Sequence, residues 1–303
     1  MKDNSLAFII IIFFLFFSTT LIFAEEGILL DISDPTGDDY GPGTYQYPTN
    51  EIYSIEGLFD ISNFVINQDE EYYIFEFTFT KLTDPWNSEF GFSLPLIHLY
   101  LANNEDSVST ELFQEGANVK LNPEYPWNRL IKISGWWVRV YSPDMKKEEH
   151  ETNILDLTYP AEIEEPDINL KNSTIILKLE KELLGDLNEG YFYLFVGGFD
   201  PFGPDHFRPI QSDPSFWYFA DPVNDELLYA PRILDLILPE GQEQVEVLSD
   251  FANGYPVISP IYIGFKEEKS DSIMYVVYTF LALFFLILAV IIKNNKFPLF
   301  NNK

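Results

Sequence analysis

Cysteine is absent from this chain of 303 residues. Without thiols there is no disulfide, and a zinc site would depend on histidine, of which the chain has three. His98, His150 and His206 lack the spacing of zinc ligands. Because animal extracellular domains often carry disulfides, the absence of cysteine favours a prokaryotic surface protein.

Positive charge is scarce as well. Lysine and arginine total 18 against 48 aspartates and glutamates, which gives a formal net charge of −30 at pH 7. Nucleic-acid backbones are bound by clusters of lysine and arginine, so the composition argues against nucleic acid as a partner. Aromatic residues make up 17% of the chain, which predicts a packed core rather than a disordered acidic polymer.

Long amphipathic helices are also missing, and the dominant periodicity is that of β-strands. Residues 71–80 end in strict alternation of aromatic and polar side chains, which is typical of a half-buried strand. Further strands are predicted over residues 96–101, 130–141, 174–179, 191–196 and 257–263. A short helix is expected within residues 180–187, ending near Gly185. The pattern predicts an all-β fold, an antiparallel β-sandwich.

The N-terminal end of the chain is apolar. Residues 6–17 are almost wholly apolar, follow Lys2 and are followed by Ser18, Thr19 and Thr20 and then by Ala24. This arrangement predicts a signal peptide over residues 1–24. An uncleaved membrane anchor is the alternative, because the apolar region is long.

A second apolar segment, residues 273–292, carries no charge and is long enough for one bilayer crossing. Lysines follow it directly, and positive residues stay on the cytoplasmic side. The sequence therefore predicts a single-pass protein of the cell membrane. Its predicted parts are an extracellular domain over residues 25–265, a hinge over 266–272, a transmembrane helix over 273–292 and a cytoplasmic tail over 293–303.

Residues 34–48 form a turn-rich acidic segment with three glycines and three prolines. Such a composition excludes a regular helix or a central strand. The segment contains Asp34, Asp38 and Asp39, and carboxylates on a turning backbone are ligands that Ca²⁺ takes. The spacing is not that of an EF-hand, so the alternative of a solvated acidic turn stays open from the segment alone.

Five short motifs occur in a fixed order along the chain, at residues 34–48, 57–61, 84–93, 197–209 and 233–241. Together they resemble the glucodextranase C-terminal domain family, a DOMON-like β-sandwich related to family-nine carbohydrate-binding modules. The resemblance spans about residues 27–262. It implies an accessory module that binds carbohydrate or cell-envelope glycan and holds structural calcium.

The resemblance also implies where calcium is bound. It favours Asp34, Asp38 and Asp39 as ligands, with Asp60 brought close from the second motif. Two further aspartates flank another Gly-Pro turn and are second-rank metal ligands, Asp200 and Asp205. For that turn the alternative is an Asx turn, in which an aspartate caps its own backbone.

Carbohydrate modules stack sugar rings on exposed aromatic side chains. Trp86, Trp127 and Trp217 lie in loop-like sequence and are the predicted carbohydrate-binding residues. Trp136 and Trp137 are neighbours in a predicted strand, so one ring is expected to face the core and the other outwards. For each tryptophan the alternative is ordinary packing.

Asn172 is the asparagine of an Asn-Ser-Thr glycosylation sequon, and residues 143–167 form an acidic stretch expected to be an exposed excursion. Catalysis is not indicated, because the Gly-Phe-Ser-Leu-Pro run around Ser93 ends in proline where a nucleophile elbow needs glycine. The sequence thus predicts a non-enzyme whose partners are a glycan, the membrane and possible surface hydrolases or envelope proteins.

Two other functions stay open from the sequence. The first is a structural or assembly component of the envelope, or the membrane-anchor subunit of a glycoside hydrolase or transporter complex. The second is haem binding, for which three histidines and three methionines offer few axial ligands.

Overall fold

The computed structural model describes residues 27–103, 109–145 and 162–264. The chain divides into two compact units, Met1–Gly264 and Phe265–Lys303, and the described residues all belong to the first. No helix within these ranges is long and apolar enough to cross a membrane. The predicted signal peptide, hinge, transmembrane helix and cytoplasmic tail lie outside the described residues.

Five antiparallel strands form the first sheet. They are β1 (Gly27–Ser33), β2 (Ile61–Gln68), β3 (Tyr72–Phe79), β8 (Asp167–Lys171) and β9 (Thr174–Glu180). Their order in the sheet is β1-β2-β3-β9-β8. Along β3, half-buried and buried residues alternate from end to end, so one face of this sheet packs in the core and the other meets solvent.

The second sheet is also antiparallel. Its strands are β4 (Pro95–Ala102), β6 (Arg129–Ile133), β7 (Val138–Tyr141), β10 (Tyr191–Gly198), β13 (Asp235–Ile237) and β15 (Ile261–Tyr262). They run in the order β13-β10-β4-β6-β7, with β15 also paired to β10. Every residue of β4 is buried, which means that this sheet is covered on both faces.

Short elements complete the domain. Two small parallel pairs join β5 (Lys120–Leu121) to β14 (Val257–Ile258), and β11 (Ile210–Gln211) to β12 (Phe219–Ala220). The α-helices span Lys181–Leu184 and Gln244–Leu248, and 3-10 turns span Glu51–Tyr53 and Pro204–His206. Mostly β structure with antiparallel sheets and few helices fits the predicted sandwich.

The hydrophobic core lies between the two sheets. Phe64 of the first sheet has its ring 4.9 Å from Phe77 and 5.1 Å from Phe192 of the second sheet. A second apolar cluster covers the outer face of the second sheet, where Tyr100 and Trp127 pack against loop residues. Buried aromatic pairs of this kind contribute about 0.5–1.5 kcal/mol each beyond their buried area.

Most of the predicted strands are confirmed, as is the short helix that ends at Gly185. The single strand predicted over residues 130–141 is wrong. The hydroxyl of Ser134 accepts hydrogen bonds from the backbone N–H groups of Trp136 and Trp137, at 3.2 and 3.3 Å, and this turn separates β6 from β7. The strand predicted over residues 257–263 is also divided, because Pro260 has no N–H to donate.

The acidic stretch 143–167 lies largely outside the described residues. Its described end is structured: Glu162 accepts a hydrogen bond from Arg139, with Nη2 and Oε2 3.0 Å apart, and Asp167 begins β8. Glu164, Glu165 and Asp167 are exposed, as expected, although the backbone at this end is paired with the rest of the domain.

Candidate functional site

The acidic loop, residues 34–48, brings carboxylates from separate parts of the chain together. Asp34 directly follows β1, and its N–H donates to the carbonyl of Ser62 at 3.0 Å. The loop then turns at Gly37, which has a φ of 85°, and the Gly41 N–H donates to the carbonyl of Leu234 at 2.9 Å. These contacts place the loop beside the start of β13.

Three carboxylates meet at this point. Asp34, Asp38 and Asp235 each offer one carboxylate oxygen, and the three oxygens lie within 4.8 Å of one another. Oδ2 of Asp34 and Oδ1 of Asp38 are buried without a hydrogen-bond partner. Asp235 is fully buried and accepts hydrogen bonds from the N–H groups of Ile61, at 2.7 Å, and Leu236, at 2.8 Å.

The other two predicted ligands, Asp39 and Asp60, lie around this group and have one oxygen engaged each. Asp39 Oδ2 accepts from the Phe59 N–H at 3.1 Å and from the Tyr47 hydroxyl. Asp60 Oδ2 accepts from the N–H of Gly37 at 2.9 Å and from the hydroxyl of Thr80 at 2.8 Å. The second oxygen of each carboxylate is buried and has no partner.

Burial and mutual repulsion disturb these acids strongly. Burial, and then the charges of Asp38 and Asp60, raises the pKa of Asp34 to about 8. Burial raises the pKa of Asp38 to about 6, with Asp60 and Asp39 adding to the effect. The pKa values of Asp39 and Asp235 are also raised, chiefly by burial. No basic side chain among the described residues forms an ion pair with any of the five.

This donor set fits a hard divalent cation. Ca²⁺ takes six to eight oxygen ligands at 2.3–2.6 Å, so oxygens on opposite sides of the ion are about 5 Å apart. The spacing of Asp34, Asp38 and Asp235 is within that limit, and among the described residues no histidine, which zinc would prefer, belongs to the group.

Asp235 and Gln244 are the site residues that sequence reasoning missed. Asp235 interrupts an otherwise apolar run, and that isolated charge was the available signal. The side-chain N–H₂ of Gln244 donates to the carbonyl oxygens of Asp38, Gly41 and Leu234, while its oxygen accepts from the Leu236 N–H at 3.1 Å. Gln244 therefore fastens the acidic loop to β13.

The second-rank metal residues have cationic partners of their own. Asp205 forms a buried ion pair with Lys132, and the Nδ1 atom of His98 lies 3.8 Å from its other oxygen. Asp200 lies 4.0 Å from the guanidinium of Arg208, and its Oδ1 accepts from the Phe202 N–H at 3.0 Å. The second contact is the Asx turn expected as the alternative, and neither aspartate belongs to the group of three metal-ligating oxygens.

The tryptophans differ sharply in exposure. The prediction for Trp127 is wrong: its side chain is 1% exposed and Nε1 donates to the Glu111 carbonyl at 2.7 Å. Trp86 is half-buried and stacks on the half-buried Trp136, with ring centroids 6.3 Å apart. Trp217 is 42% exposed and contacts the Phe216 ring edge-on, with the two ring centroids 4.9 Å apart.

Trp136 and Trp137 lie in the turn after β6 rather than within one strand, so the expectation of opposite faces does not apply. Trp137 is buried beneath the Arg139 guanidinium, whose carbon lies 3.9 Å from the ring centroid. Asn172, of the glycosylation sequon, is exposed in the turn between β8 and β9 with a φ of 57°.

The residues considered for other chemistry are enclosed. His98 is fully buried, and burial together with the charge of Lys132 lowers the pKa of its ring, so it is neutral and shut off from a haem. Ser93 is fully buried and its hydroxyl accepts from the Trp86 N–H at 3.4 Å, a structural role. His150 lies outside the described residues.

The domain is thus an antiparallel β-sandwich that carries a group of acidic oxygens and the exposed aromatic rings of Phe216 and Trp217. The family model for the C-terminal binding module, SLH-like, of glucodextranase matches residues 29–259, most of the chain. The chain belongs to this family. The match is to the accessory binding module and not to a catalytic domain. No curated protein matches the chain.

Proposed function

We propose that this chain is a membrane-anchored cell-surface module that binds carbohydrate or cell-envelope glycan and is stabilised by one bound Ca²⁺. Membership of a family of binding modules supports the binding role. The apolar segments at residues 6–17 and 273–292 support export and a single C-terminal anchor.

One observation carries the calcium part of this proposal: five buried or half-buried carboxylates converge without a basic partner among the described residues. Unpaired buried charge is costly, so the site must take up either protons or a cation. We assign the cation to Asp34, Asp38 and Asp235, with Asp39 and Asp60 supporting it. Calcium suits this set because every donor is a hard oxygen.

Phe216 and Trp217 are the surface that we assign to glycan. Both rings are exposed, by 56% and 42%. The backbone beneath them is fixed, because the Trp217 carbonyl accepts from Arg208 Nη1 at 2.9 Å and the Tyr218 N–H donates to Ser215 Oγ at 2.9 Å. An aromatic ring held in place in this way loses little freedom when a sugar face stacks on it.

The test is a glycan array probed with the full chain in a polyoxyethylene detergent, which avoids sugar head groups. Trp217→Ala should weaken binding of the glycan by about twofold to twelvefold, because an aromatic contact contributes about 0.5–1.5 kcal/mol. Trp86→Ala is the matched control, since its ring is partly covered by Trp136. An array with no bound glycan would contradict the binding role.

The structural or assembly role is the second candidate, and the tryptophan burial favours it. Trp127 and Trp137 are buried and Trp86 is half-buried, which a structural module would also show. Under this alternative, the full chain binds no glycan on the array but is recovered with envelope proteins after cross-linking in cells. Glycan binding on the array supports the first function, and cross-linking to envelope proteins without glycan binding supports the second.

A further inference from the structure

The exposed rings lie on a segment that is paired directly with the end of the acidic loop. We call residues 215–220 the platform segment. Gln46 and Ala220 exchange two backbone hydrogen bonds, of 2.8 and 3.0 Å, in an antiparallel bridge. The Thr49 N–H donates to the Ser215 carbonyl at 2.8 Å. The two ends of the platform segment are therefore held by residues 46–49.

Side chains join the same two segments. The hydroxyl of Tyr47 donates to Asp39, the neighbour of the metal-site residue Asp38. The Tyr47 ring packs edge-on against Phe219, at 5.6 Å between centroids, and Phe219 is the fully buried ring of the platform segment. Tyr47 thus contacts both the Asp39 carboxylate and a buried ring of the platform segment.

The other supports of the platform segment do not come from the acidic loop. Arg208 donates to the carbonyls of Trp217 and Phe199, at 2.9 and 2.6 Å. β11 pairs with β12 on the opposite side of the segment. Loss of the contacts with residues 46–49 would therefore free one side of the platform segment while leaving the rest of the sandwich in place.

We propose that Ca²⁺ binding at Asp34, Asp38 and Asp235 orders the platform segment, so that the display of Phe216 and Trp217 depends on the ion. This inference rests on the calcium site of the proposed function. The physical reason is that buried oxygens lack partners: without a cation, one carboxylate oxygen each of Asp34, Asp38, Asp39 and Asp60 is buried and has no hydrogen bond, and the acidic loop lowers its free energy by moving these oxygens into water. That motion breaks the backbone hydrogen bonds that residues 46–49 make with Ser215 and Ala220. The platform segment is then held only by Arg208 and β11.

The coupling is reciprocal by thermodynamic necessity. Any ligand that binds the ordered platform more tightly than the loosened one must raise the affinity of the chain for Ca²⁺ by the same factor. The aromatic surface and the ion site, which share no ligand atom, would then act as one binding unit.

The test is amide hydrogen exchange of the full chain with Ca²⁺ or with EDTA, using Ca²⁺ alone as the probe. Exchange in residues 46–49 and 215–220 should slow by at least about tenfold on Ca²⁺ binding, since each amide is then opened less often. Amides of β8, the exposed edge strand of the first sheet, that exchange by local opening serve as the internal control and should not change. Calcium binding measured by calorimetry accompanies each exchange experiment.

Tyr47→Phe tests the route of the coupling. It removes the hydroxyl that contacts Asp39 but keeps the ring against Phe219. Calcium should still bind, while the protection that it confers on residues 215–220 should fall severalfold. Tyr40→Phe is the matched control, because Tyr40 stacks on Tyr47 at 5.4 Å and its hydroxyl makes no hydrogen bond to the described residues.

Two results would overturn the inference, and they differ in what else they remove. Calcium binding that protects the acidic loop but leaves residues 215–220 unchanged refutes the coupling alone. An absence of calcium binding refutes both the coupling and the proposed metal site. Glycan binding is tested independently on the array, so its failure is not confused with either result.

Discussion

Two groups of buried acids in this domain have opposite surroundings. Asp205, on the outer side of the second sheet, has the ammonium of Lys132 as its ion-pair partner, and both side chains are 1% exposed. Asp34, Asp38 and Asp235 face one another with no basic partner among the described residues. The first group is compensated by the chain itself, whereas the second needs charge from solution.

The electrostatics of the two groups follow from that difference. Burial raises the pKa of Asp205 and lowers that of Lys132, and the attraction between them opposes both shifts. At Asp34 the neighbouring carboxylates act in the same direction as burial, so both effects raise the pKa. An ion pair is a permanent part of the fold, while a cluster of like charges can respond to pH and to metal concentration.

The largest expected effect comes from breaking the compensated group. Lys132→Met should destabilise the domain by about 3–5 kcal/mol, because it leaves the Asp205 carboxylate buried and unpaired. Adding Asp205→Asn should restore much of the loss, since asparagine is uncharged and tolerates the φ of 46° found there. Urea unfolding of the three proteins measures the difference. A cost below about 1 kcal/mol for the single variant would mean that the pair is already neutral.

The next largest effect is the gain in stability when Ca²⁺ binds at Asp34, Asp38 and Asp235. At a hundredfold excess over the dissociation constant, the ion should stabilise the wild-type domain by about 2.7 kcal/mol. Asp34→Asn combined with Asp38→Asn should abolish most of this gain and should also make the metal-free domain more stable, because the repulsion is gone. Thermal melts with Ca²⁺ and with EDTA measure both quantities.

Asp31→Asn is the matched control for that experiment, because Asp31 is exposed on β1 a few residues before the loop. It should keep the calcium gain. Equal melting temperatures for the wild type in both buffers would show that the acidic loop is a hydrogen-bonded turn without a metal. A gain that survives the double variant would place the ion at other carboxylates.

A smaller effect is the pH dependence of the metal-free protein. The raised pKa values, about 8 for Asp34 and about 6 for Asp38, mean that the folded state holds protons that the unfolded chain releases near pH 4. Stability should therefore fall as pH rises between about 4 and 8, with a slope of at most about 1.4 kcal/mol per pH unit for each proton. Saturating Ca²⁺ should flatten this slope. Urea unfolding across that range in resin-treated buffer tests the sign; a rise in stability would contradict it.

The smallest expected change follows removal of both apolar ends. The fragment from Glu25 to Ser272 should fold without detergent and melt as the full chain does, since both acidic groups and all the sheet pairings described here lie within it. Circular dichroism melts of the two proteins make the comparison. Aggregation of the fragment, with rescue only when residues 273–292 are restored, would contradict this prediction.

Local sequence pattern was enough to predict much of the fold. The alternating residues 71–80 and the apolar run at residues 191–196 correspond to β3 and β10. Both could be predicted because a strand's pattern of apolar residues depends only on its own sequence. The turn at Ser134 was missed because apolar residues continue on both sides of it, and one side-chain oxygen decides the break. Trp127 was misjudged because the loop that carries it covers the outer face of the second sheet.

The candidate site was predicted only in part for a similar reason. Asp34, Asp38 and Asp39 are close in sequence, so their proximity could be read directly. Asp235 lies about two hundred residues further along the chain, and only the strand order brings its carboxylate to the N–H of Ile61. A ligand contributed by a distant strand has no local signature beyond its charge within an apolar run.

The distance along the chain between Asp34 and Asp235 gives the metal site a mechanical meaning. An ion bound by both residues would close a loop of roughly two hundred residues, and cross-links that close long loops restrict the unfolded chain most. In a protein without cysteine, such an ion would act as a cross-link in the way that a disulfide does. Unlike a disulfide, this cross-link is lost when calcium is removed. Tension between β1 and the C-terminal end of the domain would act on this cross-link, and removing calcium would then lower the force that the domain withstands.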